Sequence, residues 1–165
     1  HRMVKMIKIS KQRKVLHYLG RVLVFSLIYV WPYLMPSFSW PKAIAWALVP
    51  YTTFSICFSF TSQLNHLTPE NCDQFNKDWY KHQVLTSHSF APQSIFWFLF
   101  TGGLNLQIEH HLFPGINAWH LRKIQPIVEQ VCKKHNVYYN CSQTAGEAVT
   151  KYFNHLYNMG HQKQE

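Results

Sequence analysis

Three long stretches without a single Asp, Glu, Lys or Arg dominate this 165-residue chain. Residues 22–41 form a charge-free run of 20, and residues 43–69 and 82–108 form runs of 27 each. A helix needs about 20 predominantly apolar residues to cross the hydrocarbon core of a bilayer. Charged residues make up 14% of the chain, well under the roughly 25% of ordinary soluble domains. The mean hydropathy of −0.18 hides this, because it averages apolar runs with polar flanks. The low charge fraction also excludes a disordered chain. The pattern predicts an all-α integral membrane protein.

Sixteen Lys and Arg against seven Asp and Glu leave a formal charge of +9. Seven of the basic residues (Arg2, Lys5, Lys8, Lys11, Arg13, Lys14 and Arg21) fall within the first 21 positions, with no acidic residue among them. They lie directly before the first apolar run, where cytosolic flanks belong. No nucleic-acid-binding motif accompanies them, so nucleic acid is not an expected partner. Cys57, Cys72, Cys132 and Cys141 form no CxxC pair, as expected of reduced cytosolic thiols. The chain opens on His1 without a signal peptide, and is expected to be the later part of a longer protein.

Three regions follow. Residues 1–21 are a basic cytosolic arm. Residues 22–61 hold two transmembrane helices, 22–40 (VLVFSLIYVWPYLMPSFSW) and 43–60 (AIAWALVPYTTFSICFSF). Trp31, Tyr33 and Trp40 suit a membrane interface, and Pro32 and Pro36 suit a helix leaving the hydrocarbon. With only Lys42 in the connection, the pair reads as a hairpin that returns residues 62–165 to the cytosol. In that cytosolic part, residues 91–106 (APQSIFWFLFTGGLNL) have an aromatic block too short to cross, so an interfacial or re-entrant helix is expected. Two amphipathic helices complete a helical cap. Residues 119–135 carry Leu121, Ile124, Val128 and Val131 at helical spacing, and 144–157 carry Ala145, Ala148, Val149, Tyr152, Phe153 and Leu156. Thr144 and Glu147 have capping-box spacing. No strand signal compares in strength.

Eleven histidines are an unusual number for this length. Five of them, His1, His17, His135, His155 and His161, lie in polar or terminal segments and read as solvated. The informative cluster is Gln107-Ile108-Glu109-His110-His111: on a helix, Gln107, His110 and His111 stand at i, i+3 and i+4, on one face. Imidazoles bind iron or zinc readily. Ser62-Gln63-Leu64-Asn65-His66 follows the second span, so His66 and the His110/His111 pair are expected at the same cytosolic membrane face. Zinc-hydrolase spacings such as HExxH are absent.

The stretch 102–114, GGLNLQIEHHLFP, resembles the third histidine box of membrane fatty acid desaturases, and in particular the front-end type with QxxHH. DWYKHQVLTSHSF (78–90) and IVEQVCKKHNVYY (127–139) are similar to that family as well, so the likeness covers roughly residues 60–139. The resemblance implies a non-haem enzyme with two iron ions. It would use O2 and electrons from cytochrome b5 to introduce a double bond into an unsaturated acyl chain, carried as a fatty acyl lipid or acyl-CoA. Position by position, it implies Gln107, His110, His111 and His66 as metal ligands, shared with upstream histidine boxes that this chain lacks. Alone, the chain is then expected to be inactive. Asn65 or Gln63 would orient a metal-bound water, Gln83 would stand behind the metal ligands or contact substrate, and Ser87 would contact substrate. Glu109 is either the partner of an imidazole or a surface carboxylate. His82 and His88 match other residue types in the family and are left out. Phe96, Trp97, Phe98, Phe100 and Phe113 would line the acyl chain or pack against lipid. The implied location is the endoplasmic reticulum membrane, with the site on its cytosolic face. A lipid hydroxylase of the same architecture and a non-catalytic membrane scaffold derived from such an enzyme remain as alternatives.

Overall fold

A computed structural model describes residues 11–37, 39–71 and 76–161. The first ten residues of the basic arm, with Arg2, Lys5 and Lys8, lie outside them, as does Cys72. Seven helices occur among the described residues: α1 (Lys11–Phe25), α2 (Trp40–His66), α3 (Trp79–Leu85), α4 (Ile95–Phe100), α5 (Gln107–Leu112), α6 (Ala118–Lys134) and α7 (Ala145–His161). The all-α expectation holds, with one addition. Two-residue strands β1 (Ser89–Phe90) and β2 (Cys141–Ser142) pair in parallel. They are too short to leave an alternating pattern in the sequence.

The chain divides into two compact units, residues 1–55 and 56–165. In the first, α1 continues through a π turn (Ser26–Val30) into a 3-10 turn (Trp31–Leu34). The helical run is therefore 24 residues, Lys11–Leu34, starting well before the expected Val22. Nothing between Lys11 and Phe25 breaks a helix. Pro32 would press its ring against the carbonyl four residues back, and the chain widens to π geometry just ahead of it. The second run, α2, is 27 residues and passes through Pro50 without ending. At 1.5 Å per residue the two are about 36 and 40 Å long, enough for a hydrocarbon core of about 30 Å. They lie side by side, with Trp46 Nε1 donating to the Leu27 carbonyl at 3.1 Å and the Tyr29 and Tyr51 hydroxyls hydrogen-bonded. Their apolar side chains face outward along nearly the whole length, Leu23, Phe25, Trp46, Val49 and Phe54 among them. That is the surface a lipid solvent requires, and the protein is a membrane protein.

In the second unit the end of α2 and helices α3 to α7 enclose a small core. Leu64, Phe90, Ala145 and Ala148 form one part of it. Val84, Ile108, Val128 and Cys132 form another. Phe98, Leu106 and Leu121 form a third. Leu121 and Val128 face inward from α6 as the spacing predicts, but Val131 is exposed and Cys132 takes the inner place. On α7, likewise, Phe153 points outward. The α7 cap forms as expected: Thr144 Oγ1 accepts from Glu147 N at 3.2 Å, and Glu147 Oε2 accepts from Thr144 N at 3.3 Å.

The stretch 91–106 contributes only six helical residues, α4, and then a tight turn. Gly102 and Gly103 adopt φ of +65° and +90°. A Cβ on Gly103 would meet Ala118 Cβ at 2.9 Å and the Phe98 ring at 3.2 Å. Asn105 staples this turn to the end of β1, its Nδ2 donating to the Phe90 carbonyl at 3.0 Å. The turn delivers the chain into α5 with Leu106 and Ile108 fully buried, and that orients the next residues.

Candidate metal centre

Burial of Ile108 and Glu109 turns the opposite side of α5, with Gln107 and His111, toward the end of α2. His66 is the last residue of α2. Gln107 Nε2 lies 3.0 Å from His66 Nε2 and 2.9 Å from His111 Nε2. The two rings are 5.1 Å apart and edge-on. Asn65, just before His66, donates from Nδ2 to Gln107 Oε1 at 3.2 Å and to the Leu104 carbonyl at 2.8 Å. Behind the imidazoles stands α3. Gln83 Oε1 is 2.8 Å from His111 Nδ1, and the Thr86 carbonyl is 3.3 Å from His66 Nδ1. Burial, then the neighbouring His66 and His110, push His111 down to about 4, so its ring is neutral near pH 7.

Of the expected ligands, Gln107, His111 and His66 come together. His110 is next to them, its ring centroid 6.1 Å from that of His111, but it shares no hydrogen bond with the Gln107 amide. Asn65 joins the cluster through Gln107, and the exposed Gln63 makes no hydrogen bond to it. Gln83, expected either behind the ligands or at substrate, meets the His111 imidazole. His88, set aside as a ligand, is fully buried with both ring nitrogens engaged, by the Leu64 carbonyl and Ser142 Oγ, each at 2.9 Å.

Glu109 departs from both readings of it. Its side chain is fully buried, so it is no surface carboxylate. Among the described residues it bonds to no imidazole: Tyr139 donates to Oε1 at 2.8 Å and Ser89 to Oε2 at 3.3 Å. Burial raises its carboxyl above the usual range, while those two hydrogen bonds pull the other way. A residue adjacent to His110 on a helix necessarily points elsewhere, and here elsewhere is the core.

The donor set fits part of a metal centre. Two imidazole Nε2 atoms converge on the Gln107 amide, and imidazole nitrogens suit iron or zinc. Among the described residues no three His, Cys, Asp or Glu side chains come together as a metal site, so the remaining ligands would have to come from elsewhere. An apolar groove of about 390 Å³ runs between α3, the end of α5 and α6, lined by Val84, Leu112, Phe113, Ile124 and Val128 among others; Val84 and Leu112 follow Gln83 and His111 in the chain. Of the aromatics expected around an acyl chain it takes Phe113, whereas Phe98 is buried in the core and Phe96 and Phe100 are exposed. Sequence reasoning missed the Thr86 carbonyl, Ser89 and Tyr139. A backbone acceptor leaves no sequence signal, and the other two resemble any small polar or aromatic residue.

The family model for fatty acid desaturases matches residues 1–143. The chain is 32% identical over 158 residues to the acyl-lipid (8-3)-desaturase B of Dictyostelium discoideum, covering 86% of this chain and 34% of that protein. It is 33% identical over 164 residues to the acyl-lipid (8-3)-desaturase of Physcomitrium patens, covering 95% and 34%. Against the sn-1 linoleoyl-lipid 6-desaturase of Synechocystis sp. it is 33% identical over 132 residues, covering 75% and 37%. The chain thus spans about a third of the length of the curated relatives it matches. No solved structure matches it.

Proposed function

Because the chain belongs to the fatty acid desaturase family, we propose that it forms part of the catalytic domain of a front-end desaturase, which introduces a double bond into an already unsaturated acyl chain. The observation that supports this most directly is the convergence of His66 Nε2 and His111 Nε2 on the Gln107 amide. These are the positions that the QxxHH box and the isolated histidine after the last span would supply. The names of the relatives, acyl-lipid (8-3)-desaturase and linoleoyl-lipid 6-desaturase, favour an acyl lipid as the substrate.

In this reading His66, His110 and His111 would hold iron, with the Gln107 carbonyl oxygen ligating or orienting it, together with ligands from other boxes, two irons in all. The bound iron supplies O2 activation and cleavage of an unactivated C–H bond, with cytochrome b5 as electron donor. The chain's own residues position and shelter that chemistry. Asn65 orients Gln107, and α3 orients both imidazoles. Val84, Leu112 and Phe113 give the groove an apolar wall that excludes water from an acyl chain. The hairpin anchors the site to the cytosolic face of the endoplasmic reticulum membrane, where lipid substrate is at hand.

The test is fatty-acid analysis of cells expressing the full reading frame that contains this chain, supplied with linoleoyl or longer polyunsaturated substrates. A new double bond on the carboxyl side of an existing one is expected, and should vanish with His111→Ala. A hydroxylated product in its place would convert the reading to a hydroxylase.

A further inference from the structure

The hydrogen bonds around His66 and His111 admit one arrangement of protons. Nitrogen roles in imidazoles and amides are assigned from such networks, and here two backbone carbonyls, which can only accept, set the direction. The Thr86 carbonyl takes the proton of His66 Nδ1, so His66 Nε2 is left with its lone pair. The Leu104 carbonyl takes a proton of Asn65 Nδ2, so Asn65 presents its NH2 to Gln107 as well, and Gln107 must answer with its oxygen. The Gln107 nitrogen then faces both imidazoles and donates one hydrogen to each. That makes His111 Nε2 an acceptor and His111 Nδ1 a donor. Its partner is Gln83 Oε1.

We propose that Gln83 is a positioning residue of the metal centre, holding His111 in the Nδ1–H tautomer as the Thr86 carbonyl holds His66, so that both rings keep an unprotonated Nε2 on the side of Gln107. Gln83 and Thr86 stand at i and i+3, on one side of α3 and its C-terminal cap. The helix itself is fixed at both levels. Asp78 Oδ1 accepts from Tyr80 N at 2.9 Å and Lys81 N at 3.2 Å, and Val84 is buried with Ile108 of α5. A second partner of this kind selects the tautomer and the ring orientation of a metal-binding histidine. The role in metal binding rests on the reading given above, whereas the tautomer does not.

Nitrogen-15 labelling of histidine in the full chain, in detergent micelles at about pH 8 where imidazoles are neutral, reads each ring directly. His66, His111 and His88 are expected as Nδ1–H forms, and an Nε2–H signal from wild-type His111 would overturn the proposal without any variant. Gln83→Leu strands a half-buried N–H, which is costly, so His111 should move to a mixture of tautomers. Gln83→Glu keeps the acceptor and should keep the single form. His66 and His88 signals, unchanged, report that the fold is intact. A His111 that stays wholly Nδ1–H in Gln83→Leu overturns the proposal. In the purified whole enzyme, iron retention should fall about tenfold or more in Gln83→Leu and recover in Gln83→Glu, and equal retention in both would remove Gln83 from its role. If the whole enzyme makes no desaturated product while the tautomers are as stated, the functional reading fails and the proton arrangement stands.

Discussion

Tyr139 donates its hydroxyl to Glu109 Oε1 at 2.8 Å, beneath the helix whose other side presents Gln107 and His111. Ser89 completes the arrangement, donating to Glu109 Oε2 and accepting from Ile108 N at 3.2 Å. The carboxylate ties α5 to β1 and to the segment after α6, so the orientation of the metal-facing side is set from behind.

Tyr139→Phe removes one partner from a fully buried acid without changing its packing. The loss should be about 1–3 kcal/mol, read as a lower midpoint in thermal unfolding in detergent. An unchanged midpoint would show that the hydroxyl contributes nothing.

His66→Ala, His110→Ala and His111→Ala, each in the whole enzyme, should abolish product while membrane insertion continues. Gln107→Ile should abolish it as well, since Asn65 then loses its acceptor and the two imidazoles lose their common donor. Gln107→His retains a nitrogen ligand and should keep some conversion. Wild-type product from the Ile variant would strike Gln107 from the site.

His88 is buried with both nitrogens committed, and burial lowers its pKa below the ordinary 6.5. The unfolded chain therefore takes up this proton first as pH falls. The stability that His88 contributes is complete above about pH 6.5 and declines below it. Unfolding midpoints measured from pH 7.5 down to about 5.5 should fall more steeply for wild type than for His88→Gln. Parallel curves would exclude this histidine as the cause.

Gly103→Ala should destabilise the turn that feeds α5. It places a Cβ 2.9 Å from Ala118 Cβ at a φ of +90°, and the cost should exceed about 1 kcal/mol. The matching change Gly115→Ala, whose Cβ meets nothing within 4 Å, serves as the control. Equal unfolding midpoints for the two would refute the close approach.

The topology can be tested from one face of the membrane. Cys132 is only 5% exposed and makes a poor reporter, so the accessible choice is Lys134→Cys on the exposed side of α6. Impermeant thiol reagents should label it from the cytosolic side alone. Labelling only from the lumen would defeat the hairpin.

The membrane class, the two spans and the amphipathic helices α6 and α7 were determined by the sequence itself, because apolar length and helical periodicity are local properties that survive any packing. The QxxHH spacing was legible for the same reason: three side chains on one helical face need only the helix. What met that face was decided by tertiary structure. His66 is 41 positions from Gln107 and Gln83 is 28 from His111, and no local pattern encodes a pairing across such separations. The continuation of α2 to His66, the turn at Gly102 and Gly103, and the burial of Ile108 together bring them within hydrogen-bond range. Glu109 shows the same division most sharply. Its place in the motif was plain from the sequence, yet whether its carboxylate met water, an imidazole or Tyr139 depended on where β1 and the segment after α6 closed around α5, since burial is a property of the assembled core and not of the residue.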